Sequence, residues 1–274
     1  MHHQLEILPS YKIDTNKWDA CISSSSNAVI YAYSFYLNAM CDNWSCIIIG
    51  DYEAVMPVPW RKKFGITYTY SVPFVQQLGF FSASKNNNEE ALLKFFFQHF
   101  KYGDYAFNFQ NKIEISNAKA CNNFIIHLLQ QYEKIAASYS QDLINNIKKT
   151  AKENLVYSAE GNFETAIEVF KHLYAERTPH VTDKDFSNFQ SLCKTLSAKN
   201  KIEVRKVTNS KNELLAIALL LKDEKRLYNM MNSTTGGGRK TSANHFLFDQ
   251  LIKEFSITDL ILDFEGSDLT GIKS

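Results

Sequence analysis

Three consecutive glycines between two apolar stretches constrain the fold of this 274-residue chain more than any other feature. Gly236, Gly237 and Gly238 follow Ser233, Thr234 and Thr235 and precede Arg239 and Lys240. A short apolar segment beginning near Tyr228 ends at Asn232, and after the glycines apolar residues recur at helical spacing over residues 242–255. A second apolar segment, 260–262, leads into Asp263 and Glu265. Strand, glycine loop, helix and strand make a βαβ unit with its loop at a helix N-terminus. Unpaired N–H groups and the helix dipole favour an anion there, and glycine admits a ligand close to the backbone. The spacing is neither GxxxxGK[ST] nor GxGxxG. Two readings follow: a seat for a phosphate-bearing ligand, or a flexible basic connection.

Composition supports a folded chain, with 45% hydrophobic and 22% charged residues and a core supplied by 20 Phe and 14 Tyr. The length suits one large domain or two ordinary ones. A net charge of +1 gives no global electrostatic case for nucleic acid or an anionic membrane. Five scattered cysteines without a CxxC pair predict reduced thiols and a cytoplasmic location. The N-terminus shows no secretory signal pattern, and no apolar run approaches the ~20 residues of a membrane span. The seven histidines do not cluster, so no metal site is expected.

Periodicity predicts a strand at 5–8, a helix from Asp14 or Thr15 to Cys21, and a second helix at 31–40. Strands 44–50 and 53–59 make a hairpin near Asp51, followed by a strand at 66–71, a helix at 88–100, and strands at 105–110 and 123–129. A polar helix at 139–154 carries Lys148, Lys149 and Lys152, with Ser140 as its N-cap. Then come a strand at 156–159, helices at 162–176 and 183–198, a strand at 202–208, a hairpin of 212–221 with 226–231, and the glycine unit. The order β, α, α, β, β, β, α, β occurs before about residue 135 and recurs in similar form after about 155. The expected class is α/β (α+β), with mixed central sheets flanked by helices. Its halves are 1–135 and 136–274, the second opening with the basic linker helix 139–154. Neither half has the strand–helix alternation of a doubly wound dinucleotide domain.

Four local stretches carry a resemblance: Met56-Pro57-Val58-Pro59-Trp60-Arg61-Lys62-Lys63, Pro73-Phe74-Val75-Gln76-Gln77-Leu78-Gly79, Tyr139-Ser140 with its downstream lysines, and Asp263-Phe264-Glu265-Gly266-Ser267. With the element order, they resemble the acyl-CoA N-acyltransferase (GNAT) superfamily and its tandem FemAB-like group of aminoacyl or acyl transferases. The resemblance implies a duplicated GNAT-like fold whose first half is a degenerate repeat that shapes the acceptor site. It makes 228–232 the splayed strand, and Asn232, Ser233, Gly236, Gly237, Gly238, Arg239 and Lys240 the cofactor-binding residues. The group's usual loop has Gln or Arg, two variable residues, Gly, a variable residue, then Gly or Ala. Here the glycines are consecutive, which leaves acyl-CoA, an acyl carrier protein arm and an aminoacyl-tRNA end all open as donors. Members also continue beyond the DFEGS-like strand, whereas this chain stops at Ser274. A missing closing segment would expose a strand edge.

Acyl transfer needs a neutral amine, a polarised carbonyl and a proton route, and much of the work is positioning. Asp263 and Glu265 are the candidate bases and Tyr228 the candidate proton donor to a leaving thiolate, against bland readings as turn carboxylates and a core aromatic. Trp60, Arg61, Gln76, Gln77, Tyr139 and Lys148 are the candidate acceptor-binding residues. The leading expectation is an N-acyltransferase moving an acyl or aminoacyl group from a thioester or aminoacyl-tRNA to a small-molecule or peptide amine. The alternative is an inactive GNAT-like protein that binds a peptide, cell-wall precursor or nucleotide. An RNA-binding module using the Lys148 face and the Trp60 turn is a third reading, disfavoured by near-neutral charge.

Overall fold

The computed structural model describes residues 5–83, 89–114 and 118–266. Asn88 and Ser267, which bound the predicted helix 88–100 and the final motif, lie outside them. The chain divides into two compact units, Met1–Lys119 and Ala120–Ser274. That division precedes the expected boundary near 135, because the strand at Asn123–His127 pairs with the last strand of the second unit.

The first unit contains β1 (Leu5–Pro9), α1 (Thr15–Ser24), α2 (Ser34–Met40), β2 (Trp44–Ile49), β3 (Ala54–Lys63), β4 (Ile66–Thr69), β5 (Phe81–Ser82) and α3 (Glu89–His99). Its antiparallel sheet runs β1-β2-β3-β4, with β5 also on β3. Asp14 caps α1 by accepting from the amides of Asn16 and Lys17. The predicted helix 31–40 is interrupted: a 3-10 turn at Ile30–Ala32 gives way to an extended Tyr33 before α2. The cause is Asp19 of α1, whose carboxylate takes both the Ser34 amide and the Ser34 hydroxyl at 2.8 Å. A tertiary cap therefore starts α2 where no local one exists.

Strand β3 runs past Pro59 to Lys63, although the prolines suggested an end there. The Pro57 carbonyl accepts from Tyr105 Oη at 2.6 Å, away from the β2 ladder. The missing N–H of Pro57 points the same way, where no ladder bond is lost. The alternating residues 105–110 are not a strand; one bridge, Leu78 to Phe107, is their ladder contact. Tyr105 and Phe107 instead pack their rings against Phe96 of α3, so the alternation reflects burial.

The second unit contains β6 (Asn123–His127), α4 (Tyr132–Ala136), α5 (Gln141–Thr150), β7 (Val156–Ser158), α6 (Phe163–Tyr174), α7 (Asp183–Ser197), β8 (Ile202–Thr208), β9 (Leu214–Lys222), β10 (Arg226–Thr234), α8 (Gly236–Lys240), α9 (Ala243–Phe255) and β11 (Ile261–Gly266). The sheet order is β6-β11-β10-β9-β8-β7, with β10 and β11 parallel and the other pairs antiparallel. Strand β9 reads as a continuous apolar run because it is central and covered on both faces. Ala216, Ala218 and Leu220 pack with Leu247 and Leu251 of α9 on one face, and α6 lies against β9 and β10. Ser140 caps α5 as expected, and Thr182 with Asp185 forms a capping box on α7.

Arg205 of β8, nearly buried, makes a two-pronged contact with Glu254 of α9 at 2.9 and 2.6 Å, and Tyr157 of β7 donates to the same carboxylate. These bonds fix the C-terminal half of α9 over the sheet edge. Burial alone would raise the Glu254 carboxyl, and the hydrogen bonds from Arg205 and Tyr157 together with the Arg205 charge outweigh it and hold the group below its ordinary value.

Replacing Asp19 by alanine removes both bonds that start α2. Chemical denaturation of Asp19→Ala should show a loss of about 1–2 kcal/mol, as for other cap deletions.

Candidate functional site

Strands β10 and β11 run together for only three rungs, Arg226 with Ile261, Leu227 with Leu262 and Tyr228 with Asp263. Beyond them β10 continues to Thr234 on β9 alone, and β11 continues to Gly266 on β6 alone. Each strand carries an irregularity where the two part. In β10, Met230 is an extra residue, since Asn229 and Met231 face the adjacent Leu220 and Leu219. In β11, the register shifts between Asp263 and Gly266, with Glu265 at φ 62°. The result is an opening between two parallel strands that began as neighbours.

The extra residue in β10 has a chemical consequence. Asn229 and Asn232 are three apart and would face opposite sides of a regular strand. Their partners Leu220 and Ala218 share one face, the face covered by α9. Both asparagines therefore point to the α9 side. Asn229 Oδ1, Asn232 Oδ1 and Ser233 Oγ are buried without a hydrogen-bond partner. On α9, Phe248 packs against Phe264 of β11 with ring centroids 5.0 Å apart and the rings tilted by 51°. Asn244 and His245, four and three residues earlier, lie one turn toward the helix start along that flank. Asn244 Oδ1 and His245 Nδ1 are likewise buried and unpartnered. Unsatisfied buried polar atoms are rare and costly, and those of Asn229, Asn232, Asn244 and His245 lie on the strand before and the helix after the glycine turn. Burial pushes the His245 imidazole below its ordinary value, favouring the neutral ring.

The glycine run is a single turn of helix rather than a loop. Thr235 caps it, accepting from the Gly238 amide at 3.1 Å, and Arg239 N donates to the Thr235 carbonyl at 3.0 Å. The Gly236 and Gly237 amides remain at its open end. The three glycines are unequal. A Cβ on Gly238 would stand 2.0 Å from the Leu215 carbonyl oxygen, so this glycine lets α8 lie on β9. A Cβ on Gly236 would meet nothing within 4 Å. Arg239 donates to the Thr234 carbonyl at 2.9 Å and secures the end of β10, while Lys240 is exposed.

Asp263 and Tyr228, two of the three residues proposed for catalysis, are held in structural bonds. Asp263 is fully buried and receives Arg226 Nη1 at 2.8 Å, the Glu265 amide at 3.0 Å and Asn123 Nδ2 at 3.3 Å. A carboxylate so engaged serves as the buried countercharge of Arg226. The Tyr228 hydroxyl donates to Asp223 at 2.7 Å, in the β9–β10 turn and away from the opening. Burial raises the Asp223 carboxyl despite bonds from Tyr228 and the amides of Lys225 and Arg226. Glu265 is buried within the β11 irregularity.

The remaining candidates are dispersed. In the first unit the Trp60 indole donates to Ser45 Oγ at 2.9 Å, Arg61 pairs with Asp42 at 2.7 Å, Gln77 accepts from the Phe109 amide at 3.3 Å, and Gln76 is exposed. In the second unit Lys148 is exposed on α5, and Tyr139 is half-buried, its hydroxyl raised in pKa by burial and then by Asp249. Sequence reasoning passed over Asn229, Asn244 and His245; their signal was position, on the strand before and the helix after the glycines. Among the described residues there is no cluster of three metal-binding side chains, and no helix is long and apolar enough to cross a membrane.

No protein-family model matches the chain, and no curated protein sequence matches it. Solved structures do. A crystal structure of FemX aligns over 98% of this chain and 91% of its own with a TM-score of 0.63 at 14% identity. A conserved protein of unknown function from Bacteroides thetaiotaomicron aligns over 99% and 92% with a TM-score of 0.57 at 8% identity. The chain has the GNAT/FemAB-like fold.

Two substitutions separate the structural glycine from the open one. Gly238→Ala should lose about 1–3 kcal/mol through overpacking against Leu215. Gly236→Ala should hold or raise stability, by up to about 1 kcal/mol from helix propensity. Asp263→Asn should be worse than either, at about 3–5 kcal/mol, because it strands the buried Arg226 charge. Equilibrium unfolding of the three variants checks the order.

Proposed function

We propose that the chain is an N-acyltransferase that moves an acyl or aminoacyl group from a thioester or an aminoacyl-tRNA end to an amine acceptor. The fold supports acyl transfer only as a class. The observation that carries the reading is the opening between β10 and β11, with the buried side-chain oxygens of Asn229 and Asn232 beside it on the α9 face and the amides of Gly236 and Gly237 after it. Parted strands expose backbone N–H and C=O groups that an amide-bearing donor arm can pair with. The amides at the open end of α8 and the nearby Lys240 suit its phosphate. The site fits acyl-CoA or a related donor, which would supply the activated carbonyl.

In this reading His245 replaces Asp263 and Glu265 as the group that accepts a proton from the attacking amine. It is neutral near physiological pH, half-buried and has a vacant Nδ1. The asparagines orient the donor, and positioning supplies much of the acceleration. The engagement of Asp263 and Tyr228 in structural bonds favours a second reading, an inactive relative that binds a donor-like ligand without transfer.

Thermal unfolding with coenzyme A, acetyl-CoA and longer acyl-CoAs tests donor binding, because a ligand of the native state raises the melting temperature by mass action. The expected result is a dose-dependent rise that Gly236→Leu abolishes while leaving the unliganded melting temperature near that of the parent. A rise without transfer to any amine would support the second reading. No rise with any of them would exclude free CoA donors.

The His245 assignment has its own pH signature. Its folded pKa lies below the unfolded value of about 6.5, so the unfolded state binds the proton more tightly. Stability from this group is full above pH 6.5 and is lost as pH falls through the folded pKa. His245→Gln should flatten the acid limb of a melting-temperature profile and remove the matching limb of the transfer rate.

A further inference from the structure

The β3–β4 hairpin ends in the two-residue turn Phe64–Gly65, with φ of 51° and 82°. Asn-Gly or Gly-Gly normally fills such a turn; backbone preference does not select phenylalanine there. The Phe64 ring is 92% exposed and Ile66 is 52% exposed, so neither fills a core. The pairing register puts Lys63 and Ile66 on one face and Lys62 and Thr67 on the other. Both lysines are exposed, and Lys63 Nζ lies 5.6 Å from the Phe64 ring centroid. Residues 60–69 contain no Asp or Glu. Arg61, nearer the base, is held by Asp42 and lies 3.9 Å over the Tyr70 ring.

We propose that this tip docks on the surface of an anionic phospholipid bilayer, with Phe64 and Ile66 entering the headgroup–acyl boundary and Lys62 and Lys63 meeting lipid phosphates. An apolar tip backed by cations is the arrangement that binds such an interface. The near-zero net charge of the whole chain does not oppose it, since the attraction is local and acts within a Debye length. Single-stranded nucleic acid fits the tip less well. Base stacking requires ring faces; Ile66 has none, and Trp60 is half-buried with its indole committed to Ser45. The assignment is independent of any transfer chemistry in the second unit.

Co-sedimentation of the full chain with vesicles tests it. The full chain should pellet with phosphatidylcholine–phosphatidylglycerol vesicles on the order of tenfold more tightly than with phosphatidylcholine alone, and less so in high salt. Phe64→Asn places at the turn a residue that accepts left-handed φ; it should keep the melting temperature and lose most of the binding. Ile66→Thr, compatible with a strand, should weaken binding in the same direction. Lys62→Gln with Lys63→Gln should erase the preference for anionic vesicles. Failure to pellet with either vesicle, or binding unchanged in Phe64→Asn, overturns the proposal. So does Phe64-dependent binding of a single-stranded RNA oligonucleotide by a chain that ignores vesicles.

Discussion

The buried ion pair between Arg226 and Asp263 closes the last stretch where β10 and β11 act as one sheet. Arg226 stands at the first shared rung and Asp263 at the third, so the pair spans the whole parallel contact on one face. Two charges at these burials are tolerable only because each completes the other and further donors fill the carboxylate. Beyond the pair, each strand takes an irregularity and turns to its outer neighbour. The opening is therefore fixed by a strong local contact at its base and by β9 and β6 at its sides.

Everything proposed for donor recognition depends on that separation. Continued pairing would occupy the backbone groups of residues 229–234 on the β11 side. The extra residue Met230 would have no use in a regular ladder, yet it turns Asn229 to the side of Asn232. Thr235 and Gly238 then pin the next turn of helix to β9, with Arg239 bonded back to the strand end. The polar atoms left over sit on the strand before this turn and on the helix after it. They are positioned by rigid elements, as precise binding requires.

Much of the fold was legible because its periodicities are local. The apolar run of β9, the capping residues Asp14 and Ser140, and the strand at Ile202–Thr208 follow from neighbours in sequence. What escaped depended on distant partners. Asp19 breaks a helical pattern by capping Ser34, Tyr105 permits a strand to pass through Pro57, and Phe96 draws an alternating segment into ring packing without a ladder. The site was half legible for the same reason. The glycine run was legible in the sequence, but only three-dimensional contacts assign Gly238 to packing and leave Gly236 open. Asp263 and Tyr228 looked like chemistry from their strand positions, and Arg226 and Asp223 engage them structurally.

Backbone amide shifts measured during titration with an acyl-CoA test the central claim most directly, since they report where a donor touches the chain. The account predicts that the largest changes fall on residues 229–238 and on Asn244 and His245, saturating together with a single affinity. Changes confined to other elements, with the glycine turn and the open edge of β10 unaffected by a ligand that binds, would contradict it.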